Sequence, residues 1–156
     1  MRLGFISDIH ADVGALTRAL NLLEAQGCDR VVCLGDLVEK GPDGDAVVAL
    51  LRSQAIPVVR GNHDEAAIKA HREEGDLSLS PSSIACLESL PATLRYFWGG
   101  QRVVLAHGSP FKVDEYVFPG VLPKRFKRSV RTLEADVVLL GHTHTHPWTG
   151  SYPRLL

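Results

Sequence analysis

The chain has 156 residues, 45% of them hydrophobic and 22% charged, with a formal net charge of -1 at pH 7. That length fits one domain, residues 1–156, with a substantial core. The near-neutral charge excludes the broad basic field that nucleic-acid or anionic-membrane binding usually requires. No apolar run reaches membrane-span length, and the stretch after Met1-Arg2 is too short for a signal h-region. Cys28, Cys33 and Cys86 are an odd set without close CxxC spacing. Structural thiols in a reduced cytoplasm are the expectation.

Leu3 to Ile6 is a short β-type run. Asp12 is an N-cap for a helix carrying Val13, Leu16, Ala19, Leu20 and Leu23 at helical spacing, closed by Gly27. Arg30 to Leu34 reads as a buried strand, Asp45 to Ser53 as a helix and Ile56 to Val59 as a third strand. This βαβαβ opening predicts a parallel sheet with right-handed crossovers, whose carboxyl edge gathers Asp8, Asp36 and Asn62. Beyond Asp64 a helix runs to about Glu74, and Ser82 to Leu90 forms another. Tyr96 to Trp98 and Val103 to Ala106 are strands joined by Gly99-Gly100; Pro123 to Glu134 is a helix, and Val137 to Leu140 is an apolar strand.

Metal-ligating residues fall at the ends of apolar runs in five stretches: Ser7-Asp8-Ile9-His10, Gly35-Asp36, Gly61-Asn62-His63-Asp64, His107-Gly108 and Gly141-His142-Thr143-His144. Five of the seven histidines lie inside them; His71 and His146 match no motif and are expected to be solvated or structural. Taken singly, each ligand type is more often a cap or a satisfied core polar group. Ordered co-occurrence reverses that reading. Asp8 and His10 are two apart, as are His142 and His144, so each pair points to one side of a strand-like turn. Carboxylate, imidazole and one amide oxygen without cysteine suit manganese first, then iron, zinc, nickel or cobalt. Asp8, His10, Asp36, Asn62, His107, His142 and His144 exceed the needs of one ion. Two divalent ions sharing a carboxylate, roughly 3.5–4 Å apart, use such a set to activate a bridging water and neutralise a phosphate.

The order DxH, GD, GNHD, HG, GHTH resembles the calcineurin-like metallophosphoesterase superfamily over essentially the whole chain. Three stretches are similar to its small bacterial and archaeal phosphodiesterase branch: Gly41-Pro42-Asp43 after Gly35-Asp36, Val59-Arg60-Gly61-Asn62-His63-Asp64, and His107-Gly108-Ser109-Pro110 followed by Glu115-Tyr116 and Phe118-Pro119. The resemblance implies an α/β fold, a four-layer α/β/β/α sandwich with two mixed sheets. It implies that Asp8, His10 and His144 hold one ion, that Asn62, His107 and His142 hold the other, and that Asp36 bridges them. His63 is then the catalytic residue, free of metal and facing the substrate, where it stabilises phosphorane charge or protonates the leaving oxygen. The implied reaction is in-line attack of a metal-bound hydroxide on a small phosphoester, with phosphodiesters preferred over monoesters. Alternatives are a phosphatase of phosphoproteins or diadenosine polyphosphates, and a non-catalytic scaffold of the same fold, as a retromer subunit is.

Gly35-Asp36-Leu37-Val38-Glu39-Lys40-Gly41 resembles the GDxVDRG stretch of the protein-phosphatase branch, where the acid orients the histidine and the base contacts phosphate. Glu39 and Lys40 replace Asp and Arg, which leaves an exposed loop pair and a functional pair equally open. Asp64 reads as a helix N-cap before a catalytic group. Lys124-Arg125-Phe126-Lys127-Arg128, with Arg131, reads as a solvated helix face over an apolar stripe of Val121, Phe126, Val130 and Leu133. Ala11-Asp12 stands where family members carry Gly-Asn, so Asp12 points away from the phosphate or caps its helix. Family chains also continue past GHTH into further strands. Lacking them here predicts an open apolar face and with it reduced stability, a homo-oligomer or a truncated chain.

Overall fold

Apolar runs of four residues alternate with amphipathic helices through the first third of the chain, and such a pattern can bury its strands only by laying them parallel. In the computed structural model, which describes residues 1–118, 120–122 and 124–145 and only the backbone at 125, 128 and 129, β1 (Leu3–Ile6) pairs in parallel with β2 (Arg30–Cys33), from Leu3 opposite Arg30 to Ile6 opposite Cys33. Between them runs α1 (Val13–Ala25), which turns Leu16 and Leu20 inward. The Asp12 side chain caps it by accepting from the Ala15 N–H at 2.7 Å, so the acid at this family-atypical position serves the helix. The expected third strand is reduced to one parallel bridge, Val58 to Cys33. Pro57 has no N–H to extend the ladder and contributes only its carbonyl, which accepts from Cys33 N at 2.9 Å.

Helix α2 (Gly44–Ser53) crosses back over this sheet, and α3 (Asn62–Lys69) runs into a single π-helical turn, Ala70–Glu74, closed by Gly75 at φ +70°. Helix α4 (Pro81–Ser89) starts one residue earlier than its pattern predicts, with Ser80 capping Ser83 N. Strand β3 (Thr93–Trp98) is longer than expected and pairs antiparallel with β4 (Gln101–Ala106); Gly99 and Gly100, at φ +56° and +80°, supply the two-residue turn. Strand β5 (Val137–Leu140) lies parallel to β4. Helix α5 (Lys124–Val130) and a 3-10 turn, Arg131–Leu133, precede it. Residue 123, the expected first position of that helix, lies outside the described residues.

Three hydrophobic clusters define the layers. Leu16, Leu20, Cys33, Val47, Leu51, Ile68 and Leu87 join the helices to one face of the first sheet. Val32, Leu34 and Val59 meet Val103, Leu105 and Leu139 between the two sheets. Val104, Val138 and Leu133 join the second sheet to the α5 side. The order is α/β/β/α. Among the described residues the first sheet shows only parallel pairing and the second is mixed. On α5, Lys124 and Lys127 are exposed while Phe126 is buried, as the solvated-face reading requires, but Val121, expected in the apolar stripe, precedes the helix and is 75% exposed. His71 bonds locally to the Asp76 carbonyl at 2.8 Å. His146 and the expectation about strands beyond Gly141–His144 fall outside the described residues. No helix among the described residues is long and apolar enough to cross a membrane.

Candidate metal centre

The sheet pairing continues past the strand ends and carries the first two motifs side by side. Asp8 N donates to Gly35 O at 3.0 Å, His10 N to Asp36 O at 3.0 Å and Ala11 N to Leu37 O at 2.8 Å. On the second sheet Gly141 N donates to His107 O at 2.9 Å, which ties the ends of β4 and β5 together. Asp8, His10, Asp36, His142 and His144 all have φ between +49° and +68°. L-residues rarely adopt that region, and five such residues concentrated in the ligand motifs mark a site held in strained geometry by its surroundings.

Each carboxylate divides its oxygens between structure and site. Asp8 Oδ2 accepts from His142 N at 3.1 Å across the two sheets, and Asp8 Oδ1 lies 3.2 Å from His144 Nε2. Asp36 Oδ1 accepts from His63 N at 2.9 Å, and Asp36 Oδ2 faces His107 Nε2 at 3.1 Å and His10 Nε2 at 3.9 Å. Two groups of ligand type result, Asp8–His10–His144 and Asp36–His107–His142, with a third combination of His10, Asp36 and His63 between them. Asn62 sits beside them at the start of α3 with its Oδ1 buried.

The donor set fits divalent metal. Among the described residues six buried side-chain atoms have no hydrogen-bond partner, and five belong to expected ligands: Asp8 Oδ1, His10 Nδ1, Asn62 Oδ1, His107 Nε2 and His142 Nε2. Buried polar atoms are nearly always paired, so orphans of this chemistry fit a candidate coordination site; for His10 the orphan is Nδ1, while Nε2 faces His144 and Asp36. His107 Nε2 lies 3.1 Å from Asp36 Oδ2 without hydrogen-bond geometry, so the two atoms aim at a common point instead of at each other. Its other nitrogen, Nδ1, donates to Leu34 O at 2.7 Å, which orients the ring and leaves the Nε2 lone pair inward. A hydrogen bond to the Asp114 backbone holds His142 similarly.

Burial opposes charge on Asp36, but the adjacent His107 imidazole and the His63 N–H outweigh it and hold the carboxyl below its ordinary range. Burial likewise opposes charge on His107, where Asp36 outweighs it and the imidazole is raised. His10 is lowered by burial and by the Lys40 ammonium, whose Nζ lies 3.0 Å from His10 Nε2; His142 is lowered by burial and by His107. Both therefore favour the neutral imidazole that ligates metal.

Two roles left open or misplaced in the sequence become definite here. Asp64 is not the N-cap of α3; Gly61 holds that place. From the third helical position the fully buried Asp64 carboxyl accepts from Gly61 N at 2.8 Å, Leu37 N at 2.8 Å, Val38 N at 3.4 Å and Asp36 N at 3.1 Å, clamping the Asp36 loop to the α3 start. Burial pushes this carboxyl up to about 6 against the pull of the Gly61 and Leu37 N–H groups. Glu39 is no free loop residue: its Oε2 lies 2.5 Å from His63 Nδ1. An acid three residues after the aspartate was the available signal, and its reach depends on the left-handed backbone of Glu39 and Lys40, φ +65° and +70°. Gly61 packs so close to Asp36 that a Cβ there would collide with its backbone N and its carboxyl.

The two-sheet α/β fold is that of the metallophosphoesterases. The sequence pattern of the calcineurin-like phosphoesterase superfamily domain matches residues 1–152, and the chain belongs to that superfamily. An uncharacterized protein of Methanocaldococcus jannaschii, MJ0912, is 28% identical over 153 residues, 89% of this chain and 60% of that protein. Among solved structures, a metallophosphoesterase from Sphaerobacter thermophilus is 30% identical with a TM-score of 0.63, covering 92% of this chain and 61% of that one. The Escherichia coli phosphoesterase YfcE is 27% identical with a TM-score of 0.56, covering 92% and 70%. The chain thus spans about 60% of the length of the first two relatives.

Proposed function

We propose that this chain hydrolyses small phosphoesters, phosphodiesters ahead of monoesters, with two divalent cations, manganese first. The observation that carries the reading is the set of orphaned ligand atoms from four of the five motifs, on two sheets and one helix start, gathered around the Asp36 carboxylate of the fifth. Asp8, His10 and His144 would hold one cation, Asn62, His107 and His142 the other, with Asp36 between. Bound there, the pair supplies charge neutralisation for the phosphate and acidifies a water.

The chain's own residues supply the rest. The His63 side chain is 27% exposed at the mouth of the centre, within reach of substrate. Its Nδ1 lies against Glu39, which leaves Nε2 for the substrate; in the doubly protonated ring that nitrogen donates where negative charge develops on the phosphoryl or leaving oxygen. Glu39 is the positioning residue: as the acceptor at Nδ1 it fixes the orientation of the ring. Lys40 adds a cation on the same side. The His63–Glu39 pair favours catalysis over a scaffold role, which needs neither group.

A metal-by-substrate matrix on chelated and reconstituted protein tests the reading. Bis-p-nitrophenyl phosphate should turn over faster than p-nitrophenyl phosphate in manganese. The reverse order would favour the phosphatase alternative, and no turnover with any of manganese, iron, zinc, nickel or cobalt would sink the hydrolase.

A further inference from the structure

One stretch beside the centre has no place in the mechanism above. Residues 108–118 follow the His107 ligand, and their backbone is pinned to it. Ser109 N donates to Lys112 O at 2.9 Å, and Ser109 Oγ accepts from Phe111 N at 3.2 Å and from Lys112 N at 3.0 Å. Gly108 lies so close to the Val113 carbonyl and Glu115 N that a Cβ would not fit. The far end is closed by Val121 N donating to Phe118 O at 3.2 Å, with Gly120 at φ +79°.

This frame presents two aromatic rings to solvent. Tyr116 is 57% exposed and Phe118 is 44% exposed, and neither belongs to any of the three hydrophobic clusters. Their rings are near-parallel, 12° apart with centroids at 5.8 Å. Tyr116 also lies against a ligand: its ring centroid is 4.1 Å from that of His142. Phe111, in the same stretch, meets buried Phe126 edge-on at 6.5 Å, whereas Tyr116 and Phe118 contact each other and Tyr116 the His142 ring, and neither meets a buried apolar ring among the described residues.

We propose that Tyr116 and Phe118 form a stacking platform for the nucleobase of a nucleotide phosphoester and so decide which phosphoesters the centre prefers. The inference rests on the phosphoesterase reading. Because the Tyr116 ring lies 4.1 Å from the His142 ring, a phosphoester held at this centre would have the aromatic pair beside it. Partly exposed, near-parallel aromatic rings suit a base, every kind of which has a π-face. They offer no enclosed apolar channel for an acyl chain.

Two esters with the same leaving group isolate the effect: thymidine 5′-(p-nitrophenyl phosphate) and methyl p-nitrophenyl phosphate. Water adds to phosphorus, the bond to the p-nitrophenyl oxygen breaks and p-nitrophenolate leaves in both cases, so only the retained group differs. For Tyr116→Leu and Phe118→Leu, kcat/KM on the nucleoside ester should fall about tenfold, within the roughly 5- to 150-fold that loss of one base–aromatic stack costs. On the methyl ester it should stay within about twofold. Equal losses on both esters would show that the rings only brace His142, and unchanged values on both would show that they contact nothing; either overturns the platform. If the wild type cleaves neither ester, the phosphoesterase reading has failed, and calorimetric titration judges the platform alone. Thymidine 5′-monophosphate binding weakened about tenfold by Phe118→Leu, with inorganic phosphate binding unchanged, supports it. Equal nucleotide affinity in wild type and variant, or no nucleotide binding, overturns it.

Discussion

His107 and His142 are 1% and 7% exposed; in the other ligand group the Asp8 and His10 side chains are 10% and 11% exposed and that of His144 is 53% exposed. The two groups are also held differently. Leu34 O and the Asp114 backbone fix His107 and His142 of the inner group, while His63 N and the Asp64 clamp fix Asp36, the proposed bridge between both groups. His10 and His144 lean on each other, with ring centroids 5.2 Å apart, and His10 additionally meets Lys40. A buried, cross-braced group is preorganised before metal arrives, and an exposed one relies on the metal to organise it. The inner cation should therefore bind more tightly and exchange more slowly.

The largest effect should come from breaking what the groups share. Asp36→Asn removes the charge between them, so metal content measured per protomer should fall for both cations and turnover should vanish; retention of both ions would mean Asp36 does not bridge. Next, His63→Ala should cut turnover about 10²- to 10³-fold with metal content unchanged, because it removes a charge-stabilising donor and no ligand. Loss of metal in that variant would reassign His63 to the His10–Asp36 combination. Glu39→Gln should cost less, about tenfold, again at full metal content.

The comparison itself is sharpened by paired ligand removals. His107→Ala should weaken the tighter cation by more than about 100-fold, beyond what loss of a supporting hydrogen bond alone costs, and His144→Ala should weaken the looser one by about tenfold. Competition with a calibrated chelator would show the order, and equal losses would erase the distinction. Smallest, Asp64→Asn should lower unfolding free energy by about 2 kcal/mol in a denaturant titration, since an amide nitrogen cannot accept and leaves buried N–H groups unpaired.

The five motifs were legible because ligand chemistry is local: an aspartate two before a histidine after an apolar run reads the same before folding as after. The βαβ opening was legible because burial imposes a period. Val58 shows the limit, since an apolar run forms a single bridge once Pro57 withholds its N–H. Glu39 shows another: its meeting with His63 depends on a backbone conformation that no glycine announces.

What the sequence determined by itself was the inventory: which side chains are candidate ligands, where most of the strands begin, and which family the whole pattern resembles. What only the tertiary structure decided was which oxygen of each carboxylate faces inward, that Asp64 clamps the Asp36 loop, and that Tyr116 lies against His142. The reason is physical. Residue type and spacing act over a few neighbours, but the aim of a carboxylate oxygen is set by N–H groups as many as 134 positions away in the chain.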